Sequence, residues 1–211
     1  MSNFEDTYSD AESGKISGNV YDKYHSKNPI ARYLMNNFLK TFDSHFGKTK
    51  PLKCLEVGCG EGHLLSHIHQ SSPATYLEGI DFSQKIIDCA RANNPDIFFK
   101  QADILDLPYE SEEFDLVVTC EVLEHIDAYA QALSEIRRVG NKRFIFSVPQ
   151  EPVWRFLNIA RLKYIGQLGN TPGHLNHWSK KAFLKLIEEY FKIETELSPF
   201  PWTMVSCSKK P

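Results

Sequence analysis

The sequence lacks the features of secreted, disulfide-bonded and membrane-spanning proteins. Its five cysteines are odd in number and form no Cys-x-x-Cys pair, which disfavours a disulfide framework or a zinc site and favours a reducing, cytoplasmic compartment. No apolar run approaches the roughly 20 residues that span a bilayer. The N-terminus MSNFEDTYSDAESGK is acidic and polar, whereas a signal peptide is basic and then apolar. We therefore expect no membrane insertion.

Charge of one sign does not dominate either. The 24 Lys and Arg residues are balanced by 27 Asp and Glu, which gives a net charge of −3. This balance is not typical of a nucleic-acid-binding protein, although a local basic face remains compatible with it. The 211 residues suit one domain. Residues 1–17 have no apolar period and are expected to be flexible, so the domain is assigned to 18–211, and no feature selects an oligomeric state.

Apolar periodicity predicts one N-terminal helix followed by a regular α/β core. Asn28 and Pro29 form a cap and first-turn signal, and apolar residues at helical spacing continue to Phe42, with Gly47 expected to end the helix. From Pro51 onward, strands alternate with helices. The predicted strands are 52–57, 76–80, 97–100, 114–119 and 144–148. This rhythm predicts a doubly wound, mostly parallel, Rossmann-like sheet.

The rhythm breaks after Pro149. A helical insertion is expected from Glu151, then a loop to Trp178 and a helix capped by Ser179. Two last strands, 191–197 and 202–208, are joined by a short connection that suits an antiparallel hairpin. The sheet should therefore have seven strands, with the last strand antiparallel.

A glycine loop between the first strand and its helix is the clearest candidate for a ligand site. Gly58, Gly60 and Gly62 allow a tight turn and a close backbone approach. His63 stands where a dinucleotide fingerprint has its third glycine, so the pattern favours a nucleoside with an amino-acid tail over a pyrophosphate. The alternative is a turn that only needs positive φ.

Two acids follow the next strands in register with this loop. Asp81 ends the second strand, where a carboxylate accepts hydrogen bonds from ribose hydroxyls. Asp103 follows the third strand and is placed to accept from an adenine amino group, although a helix cap is an equal alternative. Phe82 and Ile104 are candidates for the two faces of the base.

Residues 51–148 resemble the S-adenosylmethionine-binding core of class I methyltransferases of the type 11/12 kind. Glu56–Gly62 matches the first family motif, Asp81 the ribose acid, Ala102-Asp103 the adenine position, and 107–117 the fourth-strand signature. The resemblance implies S-adenosylmethionine as cofactor, S-adenosylhomocysteine as product, and methyl transfer to a small-molecule acceptor. The predicted cofactor-binding residues are Tyr24, Glu56, Gly58, Cys59, Gly60, Gly62, Asp81, Phe82, Ser83, Ala102, Asp103, Ile104, Thr119, Cys120 and Glu121.

Tyr24 is included because residues 21–25 precede the first helix and are candidates for a lid over the methionine end. Simple packing on the sheet is the alternative reading of this segment.

Candidate catalytic residues lie after the fourth strand and in the insertion. His125 has a side chain that titrates near ambient pH, and His174 lies in a His-rich loop. Ordering of the loop is the alternative role for His125. Residues 150–178 are expected to form the acceptor site. Its apolar walls would be Trp154, Phe156, Tyr164 and Trp178, and its polar anchors Arg155, His174 and His177.

Other functions remain open at this point. Glu121, Glu124 and His125, with His174 or His177, resemble the metal site of small-RNA 2′-O-methyltransferases. The sequence has no obvious basic arm to follow phosphates, so we expect neither a metal nor a nucleic-acid substrate. A non-catalytic S-adenosylmethionine-binding protein is the other alternative.

Overall fold

A computed structural model describes residues 27–73 and 75–210. The helices are α1 (Pro29–Thr49), α2 (His63–Ser71), α3 (Gln84–Asn93), α4 (Tyr129–Val139), α5 (Val153–Ala160) and α6 (Lys180–Tyr190). The strands are β1 (Lys53–Val57), β2 (Tyr76–Asp81), β3 (Phe98–Gln101), β4 (Phe114–Cys120), β5 (Gly140–Pro149), β6 (Phe191–Glu196) and β7 (Trp202–Lys209). None of these helices is long and apolar enough to cross a membrane.

The strands form a single seven-stranded sheet in the order β3-β2-β1-β4-β5-β7-β6. Strands β1 to β5 are parallel, and β7 runs antiparallel to both β5 and β6. The predicted fold class is confirmed. Because parallel strands share one carboxyl edge, the loops after β1, β2 and β4 meet at the place where such sheets bind ligands.

Both faces of the sheet are covered, which explains why the strands are apolar at almost every position. Leu116 and Val118 of β4 contribute to the core on one face, which includes residues of α1, α2 and α3. Val117 contributes to the core on the other face, with residues of α4 and α6. The predicted cap of α1 is confirmed, because the Asn28 side chain accepts from the amides of Ile30 and Ala31.

Some predicted boundaries were wrong by a few residues. Helix α1 passes Gly47 and ends at Thr49, where Lys50 takes the left-handed conformation. Strand β5 begins at Gly140, four residues before the predicted start. Side-chain periodicity does not fix such ends, because hydrogen bonding beyond the apolar residues decides them.

The insertion differs most from its prediction. Helix α5 ends at Ala160, and Leu162 and Tyr164 adopt positive φ, so Tyr164 does not continue the apolar face of the helix. Phe156 is 67% exposed. Trp178 packs against Tyr129 and Phe183 in the second core. Neither Phe156 nor Trp178 lines the cavity at the carboxyl edge of the sheet.

Candidate active site

The glycine loop is held by the end of β2. Gly58, Gly60 and Gly62 have φ of +75°, +53° and +80°, which explains why glycine occupies these positions. The amides of Gly58 and Cys59 both donate to the Ile80 carbonyl, at 2.8 and 2.9 Å. The Gly60 amide donates to Asp81 Oδ2 at 3.1 Å. These amides are already used inside the protein, so the loop is not a ready-made phosphate cradle.

Glu56 gives the loop a second distinctive feature. Its side chain is buried, and its carboxylate accepts from the Leu65 amide in the first turn of α2. Burial and the neighbouring Asp81 raise the pKa of Glu56 well above its usual range. Its Oε2 has no hydrogen-bond partner among the described residues. The site at the start of α2, where a dinucleotide would place its pyrophosphate, thus holds an acid that fits a cationic ligand group.

Asp81 links the loop after β1 to the loop after β2. While Oδ2 accepts from Gly60, Oδ1 accepts from the Ser83 amide at 3.1 Å. Burial raises the pKa of Asp81, and the amide donors oppose that rise. Ser83 is the N-cap residue of α3, but its side chain makes no capping hydrogen bond. Asp81 therefore shapes the site as well as lining it.

A cavity of about 710 Å³ opens at this carboxyl edge. It brings together most of the predicted site residues: Glu56, Gly58, Cys59, Gly60, Asp81, Phe82, Ala102, Asp103, Ile104, Cys120, Glu121, His125 and His174. Gly62, Ser83 and Thr119 do not line it, and Tyr24 lies outside the described residues. The cavity therefore combines the expected cofactor residues with both expected catalytic histidines.

Two of the residues that miss the cavity have local structural reasons. A Cβ on Gly62 would lie 2.7 Å from the Phe99 ring, so this glycine permits close packing at the start of α2. Thr119 is completely buried within β4.

Asp103 caps a turn and also lines the cavity. Its Oδ1 accepts from the Leu105 amide at 2.9 Å, but no helix follows it, so the predicted helix cap is wrong. The same residue lines the cavity between Ala102 and Ile104. The two roles do not exclude each other, because a carboxylate has two oxygens and several acceptor positions.

Glu121 is directed toward the last strands. It adopts a φ of +60°, and its Oε2 accepts from Trp202 Nε1 at 2.6 Å. Its Oε1 accepts from the Ser147 hydroxyl at 3.3 Å. Trp202 also lines the cavity, so the hairpin that ends the sheet contributes directly to the site.

The two candidate catalytic histidines are neighbours. The His125 and His174 rings are 4.8 Å apart in an edge-to-face arrangement. His125 Nδ1 lies 2.9 Å from the Gly173 carbonyl. Since a carbonyl only accepts, Nδ1 carries the proton, which makes Nε2 the basic nitrogen of the neutral ring. The loop around Gly173 therefore fixes the tautomer of His125.

Acidic residues surround this pair. Glu124, His125 and His174 each offer a ligand atom, and these atoms lie within 4.8 Å of one another. A second group of the same kind consists of Glu151, His174 and His177. Glu121, which the sequence pattern placed in the possible metal site, belongs to neither group. His177 and Arg155, which were predicted as acceptor anchors, do not line the cavity.

Several lining residues escaped the sequence analysis. Helix α1 contributes Leu34, Met35 and Phe38, α5 contributes Asn158, and Arg161 follows directly after the end of α5. The apolar residues of α1 carried the ordinary signal of a core face, which does not distinguish core from cavity wall. Asn158 donates to the Gly169 carbonyl at 2.9 Å, a tertiary contact with no local signature.

Comparison with known proteins agrees with this geometry. Residues 55–146 match the family model described as a methyltransferase domain. The Saccharomyces cerevisiae tRNA (carboxymethyluridine(34)-5-O)-methyltransferase is 35% identical over 101 residues, covering 47% of this chain and 35% of that protein. The ubiquinone biosynthesis O-methyltransferase of Rickettsia bellii is 28% identical over 177 residues, covering 81% and 70%.

A solved structure has the same fold. The crystal structure of magnesium protoporphyrin IX methyltransferase from Synechocystis PCC 6803, with bound S-adenosylhomocysteine, superposes with a TM-score of 0.65 at 19% identity, covering 88% of this chain and 89% of that one. This chain spans only about a third of the length of the yeast relative. The family match, the sheet order and the glycine loop agree with one another. Residues 55–146 therefore match a methyltransferase domain, and the chain has the fold of methyltransferases of known structure.

Proposed function

We propose that this chain transfers a methyl group from S-adenosylmethionine to a small-molecule acceptor held beside the insertion 150–178. One observation carries the proposal: a single cavity is lined by Glu56 and Asp81 on one side and by His125, His174 and Trp154 on the other. A cofactor at the first group and an acceptor at the second would share one enclosed space. The five cysteines form no disulfide, which supports a reducing compartment, and we place the activity in the cytoplasm.

The proposed cofactor contacts follow from the chemistry of each side chain. Glu56 Oε2 accepts from the α-ammonium of the methionine part, which relieves the cost of its burial. Asp81 accepts from the ribose hydroxyls, while Phe82 and Ile104 contact the adenine faces. The remaining contacts are proposed at Gly58, Cys59, Gly60, Ala102, Asp103, Cys120, Glu121 and Tyr24, whereas Gly62, Ser83 and Thr119 do not line the cavity.

When bound, S-adenosylmethionine supplies an electrophilic methyl group on a sulfonium. The chain has to hold the acceptor in line with that group and exclude water. His125 Nε2 removes the proton from the methyl acceptor, because the Gly173 carbonyl keeps the other ring nitrogen, Nδ1, protonated. His174 packs edge-on against His125 and orients it.

A small acceptor is favoured by the cavity and by the more extensive of the two sequence likenesses. The relative covering 81% of this chain is named for ubiquinone biosynthesis, whereas the tRNA-modifying relative covers 47%. The cavity volume, about 710 Å³, lies in the range of small-molecule sites, roughly 300–1,000 Å³.

The test is to measure formation of S-adenosylhomocysteine with a panel of phenolic, catecholic and amine acceptors. Trp154→Ala and His174→Ala should change rate or acceptor preference strongly, yet leave cofactor affinity within about threefold, or roughly 0.7 kcal/mol. Trp154→Phe is the matched control, because it retains a ring against Trp202 but loses the hydrogen bond to Thr171. If cofactor affinity falls in step with turnover, the acceptor assignment is wrong. Tight cofactor binding without turnover on any acceptor would favour the non-catalytic alternative.

A second candidate, metal-dependent 2′-O-methylation of RNA, is favoured by one observation, the juxtaposition of Glu124, His125 and His174. We propose that the reaction needs no metal, and a chelator decides between the two. Activity that a chelator leaves unchanged supports the metal-free reaction. Activity that is lost with chelator and restored by Mn²⁺ supports metal-dependent methylation. Activity on an RNA acceptor would then support the second candidate as a whole.

A further inference from the structure

The insertion exposes apolar side chains next to the cavity. Phe156, Leu162 and Leu168 are 67%, 79% and 74% exposed. Ile159 and Ile165 of the same segment are also exposed. We call these five side chains the apolar patch. Scattered single leucines are ordinary on protein surfaces, but several within one short segment indicate a contact surface.

The backbone of the segment keeps these side chains outside. Leu162 and Leu168 adopt φ of +55° and +51°, a conformation that bulky residues rarely take. Gly169 packs tightly against α5, since a Cβ on it would lie 2.4 Å from the Arg155 carbonyl. The loop is therefore folded back on the helix with its leucines exposed, and uncommon backbone conformations of this kind concentrate at functional surfaces.

The charge of the segment points to an anionic partner. Between Pro152 and Trp178 the sequence contains Arg155, Arg161 and Lys163 and no Asp or Glu, although the whole chain has a net charge of −3. A partner must therefore offer negative charge and an apolar interior together. An anionic lipid surface offers both, whereas a nucleic acid offers no volume that buries leucines.

We propose that the apolar patch docks on an anionic lipid surface. Leu157, Asn158 and Arg161 line the cavity, while Phe156 and Ile159 of the same helix belong to the patch, so the docked face adjoins the proposed acceptor site. An acceptor dissolved in the lipid would then reach the cavity without crossing bulk water. The acceptor argument depends on the proposed function, but the docking itself does not.

The test is sedimentation of the full chain with vesicles of phosphatidylcholine, with and without phosphatidylglycerol. We expect binding to the phosphatidylglycerol vesicles that weakens with salt. The double variant Leu162→Gln/Leu168→Gln should bind them at least about tenfold more weakly, because two leucines no longer enter the apolar layer. Leu52→Gln is the matched control, since Leu52 is 78% exposed but precedes the amino end of β1.

Each outcome decides the proposal. Equal binding by the double variant and the wild type, or no vesicle binding by the full chain, overturns it. Self-association that the double variant abolishes would make the patch an interface between copies, and RNA binding that the double variant abolishes would make it a nucleic-acid surface. Vesicle binding with no turnover on any acceptor would leave the docking intact and overturn the proposed function instead.

Discussion

At the scale of single residues, the buried Glu56 carboxyl combines a stability cost with a proposed binding role. Burial and Asp81 raise its pKa, so the folded protein holds the proton more tightly than the unfolded chain does. Stability is therefore retained below the ordinary carboxyl pKa, about 4.3, and is lost as the pH rises from there through the raised pKa. A cationic ligand group would offset this cost.

Glu56→Gln removes the charge but keeps the shape. We expect its free energy of unfolding to match the wild type in acid and to exceed it increasingly toward neutral pH. Cofactor affinity should fall about tenfold or more, because a hydrogen bond to a charged group contributes roughly 1.5–3 kcal/mol. Thermal unfolding across pH and calorimetry with S-adenosylhomocysteine measure the two effects. Wild-type affinity in this variant would rule out the proposed contact.

Asp81 differs because its carboxylate also holds two backbone amides, those of Gly60 and Ser83. Asp81→Ala should weaken cofactor binding at least about tenfold and lower the melting temperature. Asp81→Asn keeps one acceptor oxygen and should lose less stability than the alanine variant. Unchanged affinity in calorimetry of Asp81→Ala would contradict the ribose assignment.

At the scale of elements, the start of β5 has no room for a side chain. A Cβ on Gly140 would lie 2.2 Å from the buried Phe144 ring, so Gly140→Ala should destabilise the fold by about 1–3 kcal/mol. Gly47 of α1 is the matched control, because nothing lies within 4 Å of its Cβ position. Gly47→Ala should stabilise by about 0.5–1 kcal/mol. Denaturant unfolding checks both signs, and equal stabilities would refute the packing argument.

The elements also explain how far the sequence could predict the molecule. Strand cores, the glycine loop and Asp81 were predictable, because local periodicity and strand-end position determine them. The exposure of Phe156 and the packing of Trp178 against Tyr129 and Phe183 were not predictable. They depend on where α5 ends and on which core each side chain contacts. Trp202 reaches Glu121 only because β7 inserts between β5 and β6, an order that no local pattern encodes.

At the scale of the whole molecule, an average charge hides an uneven distribution. The net charge of −3 disfavoured an anionic partner, yet the stretch between Pro152 and Trp178 contains Arg and Lys but no Asp or Glu, beside exposed leucines. The net charge of a whole chain is therefore weaker evidence about its binding partners than the distribution of charge on the folded protein.

The whole fold should respond to its cofactor as one unit, because the cavity is built from α1, the loops after β1, β2 and β4, and the last hairpin. S-adenosylhomocysteine at about 100 times its dissociation constant adds roughly 2.7 kcal/mol to the stability of the folded state. For a domain of this size the melting temperature should rise by about 5–10 °C.

NAD should give no comparable rise, because the Glu56 carboxylate occupies the start of α2 where a pyrophosphate would bind. The rise should shrink in Glu56→Gln and Asp81→Ala but persist in Leu162→Gln/Leu168→Gln. Differential scanning fluorimetry measures all of these, and a rise with NAD equal to that with S-adenosylhomocysteine would contradict the site described for this chain.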